Sequence, residues 1–95
     1  MIKIYKKDQA MICHNTSKNE VLRYGDFDIQ SLGDASNDLV EAYSKALDIS
    51  SYGATAEYAF WNTIQIIDLH IDFLVEHDIL DNELKRLGWI EQETE

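Results

Sequence analysis

The stretch Thr63–Leu80, TIQIIDLHIDFLVEHDIL, decides the fold, because its middle can be laid out at two periods. As a strand, Ile67, Leu69, Ile71 and Phe73 would face one way and Asp68, His70 and Asp72 the other, aligned like metal ligands. As a helix, Gln65, Asp68, Asp72 and Glu76 fall on one narrow polar stripe, and His70 moves round towards Ile66 and Phe73. Length separates the two. From Ala54 to Leu80 there is neither glycine nor proline, a run far beyond the usual strand of about five or six residues. It begins with ATAEYAFWN, which is alanine-rich and does not alternate. The spacing therefore predicts a long helix. The β-branched residues Ile64, Ile66, Ile67 and Ile71 keep the strand as the alternative.

The helical period removes the simplest metal site. Residues 68, 70 and 72 sit at successive steps of roughly 200° and cannot all face one ion. The words IIDLHIDF, residues 66–73, resemble the first strand of amidohydrolase barrels, where a His-x-His or His-x-Asp pair binds zinc, which would imply zinc held by His70 and Asp72. That barrel takes roughly 250 residues, and the other ligand motifs are missing from this chain. A metal-binding module using Asp68, His70 and Asp72 is the lesser alternative, with no cofactor and no metal expected. Cys13 beside His14 has the residue types of a nucleophile and its base, but neighbours on a strand point to opposite faces. No catalytic residue is expected.

Outward from this helix, the first thirty residues read as short strands. Ile2 and Ile4 alternate with lysines, AMICHN is a second apolar run, and EVLRYGDFDI a third that breaks at Gly25; KKDQ and NTSKN are the turns. From Ser36 to Ile49, Leu39, Tyr43, Ala46 and Leu47 recur at helical spacing, Ser36 or Asp34 can cap the start, and Glu41 and Lys45 form an i, i+4 pair. A short last helix is expected over Asn82–Leu87, with Asp81 as cap and Gly88 just beyond it. The expected fold class is α+β: a small N-terminal three-stranded antiparallel sheet packed against two main helices and a short C-terminal helix. One domain, 1–95, is expected, strand-rich over 1–30, helical over 34–88, with an acidic tail at 91–95.

The chain of 95 residues carries eight basic and eighteen acidic side chains, a formal net charge of -10, and the two signs are segregated. Residues 1–25 hold five of the basic groups and only two of the acids. The field of the remainder repels nucleic acid and membrane surfaces and attracts basic proteins. A single cysteine excludes an internal disulfide and fits the cytoplasm. The N-terminus has no continuous apolar run of the kind a signal peptide needs, and carboxylates interrupt every long apolar zone.

These features point to a small acidic non-enzymatic binding protein that inhibits or neutralises a basic, nucleic-acid-handling partner. Toxin-immunity proteins, antitoxins and phage-encoded inhibitors of host defence resemble the chain in size, acidity and lack of catalytic motifs. The expected partner-binding residues are Asp68, Asp72, Glu76 and Trp61, with Asp38 and Glu41 on the preceding helix. Nucleic-acid mimicry is the narrower version. Carboxylates at i, i+4 lie about 6 Å apart along a helix whereas one DNA strand presents a phosphate every ~3.4 Å, so mimicry needs a second acidic row, from Asp34, Asp38, Glu41 and Asp48. The alternative is a homodimeric structural or adaptor subunit with the long helix buried between copies. No direct nucleic-acid contact and no membrane contact are expected.

Overall fold

The computed structural model describes residues 1–35 and 39–93, with backbone alone at 34, 35 and 93. The order of elements is β1 (Ile2–Lys7), β2 (Ala10–Asn15), β3 (Glu20–Gly25), β4 (Ile29–Ala35), β5 (Leu39–Ser44), β6 (Ile49–Gly53), α1 (Ala56–Glu76), α2 (Leu80–Arg86) and β7 (Ile90–Glu93). The strands form two antiparallel sheets, β3-β2-β1-β7 and β4-β5-β6. The chain is mixed α+β, but the expected single three-stranded sheet with a short helix as the last element is wrong. No helix is long and apolar enough to cross a membrane among the described residues.

Two compact units share the long helix. The first comprises Met1–Asp26 and Ile71–Glu95, the second Phe27–His70. In the first unit the buried side chains are Tyr5, Ala10, Ile12, Ile71, Leu74, Leu80, Leu84 and Trp89. Its turns follow the sequence. Asp8 and Asn19, in the two hairpin loops, take left-handed backbone angles that short polar side chains tolerate. Gly25 ends β3 at φ +84, where a Cβ would lie 2.0 Å from the Gln9 carbonyl oxygen, so no side chain fits.

The expected acidic tail at 91–95 is, over its described part, strand β7. Residues 90–93 instead pair with β1, placing Lys3 opposite Glu93, Tyr5 opposite Glu91 and Lys6 opposite Ile90. The Glu91 carboxylate, which looks solvated in the sequence, is held by the Lys85 ammonium at 3.2 Å. Residues 94 and 95 of that tail lie outside the described residues.

In the second unit the predicted helix Ser36–Ile49 is replaced, over its described part, by β5, a four-residue turn Lys45–Asp48 and the first residue of β6. Spacing of four is even, so Leu39 and Tyr43 share a face in a strand as they do in a helix. Pairing with β4 and β6 decides for the strand, and it lets Ala42 and Ser44 point to the buried side. The Ser44 hydroxyl donates to the Phe27 carbonyl at 2.7 Å. Phe27, Ala42, Ala46, Leu47, Ala59, Thr63 and Ile67 complete this core.

Helix α1 has both ends satisfied. The Tyr58 amide donates to the Thr55 hydroxyl oxygen at 3.2 Å and the Ala59 amide to the Thr55 carbonyl. At the other end the Asp78 amide bonds the Val75 carbonyl and the Ile79 amide the Leu74 carbonyl, with Asp78 left-handed at φ 57. Gly88 plays the same part after α2 at φ +94, with Gly88 and Trp89 donating to Lys85 and Leu84. Both ends carry the double bond of a Schellman motif. Asp78 tolerates that angle less readily than glycine and adds a negative charge at the negative end of the helix dipole. Asp78→Gly is therefore expected to stabilise the protein by about 0.5–1 kcal/mol in urea unfolding, with Asp78→Ala giving no such gain.

Candidate partner-binding surface

Helix α1 buries one stripe and exposes the opposite one. Ala59, Thr63, Ile67, Ile71 and Leu74 are buried, and the Thr63 hydroxyl donates back to the Ala59 carbonyl at 2.8 Å, which lets a polar side chain lie in the stripe. On the far side Tyr58, Trp61, Gln65, Asp68, Leu69, Asp72 and Glu76 are all exposed and share an arc of roughly 100°. Trp61 is 55% exposed, Tyr58 65% and Leu69 69%. Trp61 stands edge-on to Phe60 with ring centroids 5.4 Å apart, which limits its rotamers in the uncomplexed protein. The outward face is an aromatic and aliphatic ridge set among carboxylates.

The predicted site residues separate into two groups. Asp68, Asp72, Glu76 and Trp61 lie together on this face of α1. Glu41 is on β5, where it faces Tyr52 of β6, and its neighbourhood is a strand rather than a helix. Asp38 lies outside the described residues. The second acidic row expected on a preceding helix therefore has no helix to carry it. Tyr58 and Leu69 complete the ridge. Their signal was the helical angle they share with Gln65, readable once the buried stripe is located.

The helix also disposes of the Asp68-His70-Asp72 alignment, since His70 turns away, half-buried, from the two exposed carboxylates. Among the described residues no three His, Cys, Asp or Glu side chains are grouped closely enough to hold a metal ion. Cys13 and His14 lie on opposite faces of β2, and the His14 ring is 3.1 Å from the Asn19 amide oxygen. Compared with protein-family models, with curated proteins and with solved structures, the chain finds no match.

A polar cluster in the first unit fixes β1, α2 and β7 to one another. The buried Tyr5 hydroxyl donates to Asp81 at 3.0 Å, and the Lys85 ammonium bridges Asp81 at 3.1 Å and Glu91 at 3.2 Å. Partial burial alone would push the Asp81 carboxyl up, but the Lys85 ammonium and the Tyr5 hydroxyl that bond it outweigh that and hold it below the usual carboxylate range. Tyr5 is raised, by burial first and then by the bond to Asp81. The Lys7 ammonium adds a bond to the Leu87 carbonyl at the end of α2.

A carboxyl whose pKa is depressed on folding stabilises the fold above its unfolded value and loses that contribution as pH falls through the folded one. Melting temperature should hold near neutrality and fall below about pH 4, where an unperturbed Asp begins to take up its proton. Asp81→Asn should melt lower at pH 7 and show a shallower acid limb, measured by thermal scans across pH.

Proposed function

We propose that the chain is a non-enzymatic binding protein that inhibits or neutralises a basic, nucleic-acid-handling protein, docking on it through the outward face of α1. The observation that carries this reading is the exposed ridge of Tyr58, Trp61 and Leu69 beside Asp68 and Asp72. Tryptophan and tyrosine on a rigid helix are the residues that most often dominate an interface, and carboxylates at their margin speed encounter with a basic surface. A groove lined by apolar side chains and rimmed by lysine or arginine is the complementary shape, the helix-in-groove mode.

Docking through the ridge is favoured over imitation of a duplex, because the carboxylates of α1 form a single row at about 6 Å spacing. Immunity proteins, antitoxins and phage anti-defence inhibitors are the kinds of protein to which such a role belongs. The single cysteine and the absence of a disulfide suit a cytoplasmic setting.

The test begins with the partner recovered by affinity purification from the native host and then expressed pure. Trp61→Ala should weaken its binding by at least about 2 kcal/mol, roughly thirtyfold. Lysine at both Asp68 and Asp72 should act mainly by slowing association, and wild-type association should slow as salt rises. All three positions are exposed, so melting temperatures should change little. Unaltered affinity and association rate in both folded variants would mean that the partner does not use this face.

A further inference from the structure

A second exposed apolar surface lies on the four-stranded sheet, on the face opposite Tyr5 and Ile12. The register sets Ile4, Cys13 and Leu22 side by side across β1, β2 and β3, and in the next row Ile90, Lys6, Met11 and Tyr24. Leu22 is 59% exposed, Tyr24 47% and Ile90 69%. Helix α2 is tied to the other face, where Tyr5 reaches Asp81 and Lys7 the Leu87 carbonyl. We propose that this sheet face is where two copies of the chain associate, across a two-fold axis passing near Cys13.

Charge and shape both select a second copy. The described side chains of this face include one lysine, Lys6, and one glutamate, Glu20, and are otherwise uncharged, in a chain whose net charge is -10. A strongly basic or acidic partner has nothing to pair with here, whereas a second copy meets a neutral surface. The face also holds a shallow notch of about 360 Å³ bordered by Ile2, Ile4, Cys13 and Leu22. Leu22 and Tyr24 form part of its wall, and Ile90, which does not line it, is exposed on the same face, so an exposed apolar side chain and a hollow occupy one surface. An isologous contact requires that combination, because each copy must supply both parts.

Size sets the strength. Four strands at ~4.8 Å spacing and six residues at ~3.3 Å give a footprint of roughly 400 Å² per copy. With side chains standing up from the sheet, two copies remove on the order of 1,000 Å² from water, the size class of weak, transient contacts, so the dimer is to be sought at concentrations of roughly 10–100 µM.

Sedimentation equilibrium over concentrations bracketing that range should show wild type moving from 11.0 kDa towards twice that mass. Added salt should leave the dimer unchanged or tighten it, since two copies with a charge of -10 each repel at long range. Leu22→Lys should remain monomeric with an unaltered far-UV circular dichroism spectrum, and Leu69→Asp should still dimerise. A short bismaleimide should join two wild-type chains through Cys13, the single cysteine, and join none in Cys13→Ser. That crosslink decides the matter if Leu22→Lys fails to fold. A wild type that stays monomeric, a dimer that survives folded Leu22→Lys, a dimer that depends on Leu69 instead, or a dimer with no Cys13 crosslink overturns the assignment.

Discussion

Helix α1 has more apolar surface than its one buried stripe can take out of water. Ala59, Thr63, Ile67, Ile71 and Leu74 fill the stripe, and their small or branched side chains allow close approach on that side. Tyr58, Phe60, Trp61, Ile66, Leu69 and Phe73 of the helix are left exposed to solvent. Exposed ridges of this sort cost solubility, and the carboxylates of the same face offset that cost by keeping the surface charged. The same two facts, residual apolar area and surrounding negative charge, make a surface suited to a basic partner.

The rest of the chain holds the helix so that this division persists. Thr55 fixes where α1 starts and the Schellman turn at Asp78 fixes where it stops. Within the first unit, the Tyr5–Asp81–Lys85–Glu91 cluster links the central strand β1 to α2 and to the closing strand β7. A buried phenol without a partner would be strongly unfavourable, so Asp81 is the group on which that arrangement depends. Within the second unit, Asn62 donates to the Tyr52 carbonyl at 2.8 Å, tying the helix to strand β6.

What could be read from the sequence was whatever depends on local rules. The length of the glycine-free run identified α1, and Gly25, Gly88 and the polar turns fell where chain reversals need them. What could not be read depends on pairing between distant segments. Leu39 and Tyr43 satisfy a helix and a strand equally, so β5 was settled by strands on either side of it. Glu91 and its neighbours look like a solvated tail until residues 90–93 are paired with β1 and Lys85 reaches the Glu91 carboxylate. The carboxylates of the candidate site were visible as a stripe, but the exposure of Trp61 was not, because the wheel angle alone does not say which side of a mostly apolar helix is covered. The apolar face of the first sheet was hidden for a related reason. Ile2, Ile4 and Leu22 look no different in sequence from Tyr5 and Ile12, and only the placement of α2 tells the two faces apart.

The claim that α1 binds through its outward face is tested most directly by observing its tryptophan in place. The chain has two, Trp61 exposed and Trp89 buried. With 5-fluorotryptophan incorporated, the ¹⁹F spectrum of the free protein should show one resonance sensitive to solvent isotope, from Trp61, and one that is not. On titration with the unlabelled partner, the Trp61 resonance should shift and lose its isotope sensitivity while that of Trp89 stays in place. Saturating binding that leaves the Trp61 resonance unmoved and still open to solvent would contradict the account.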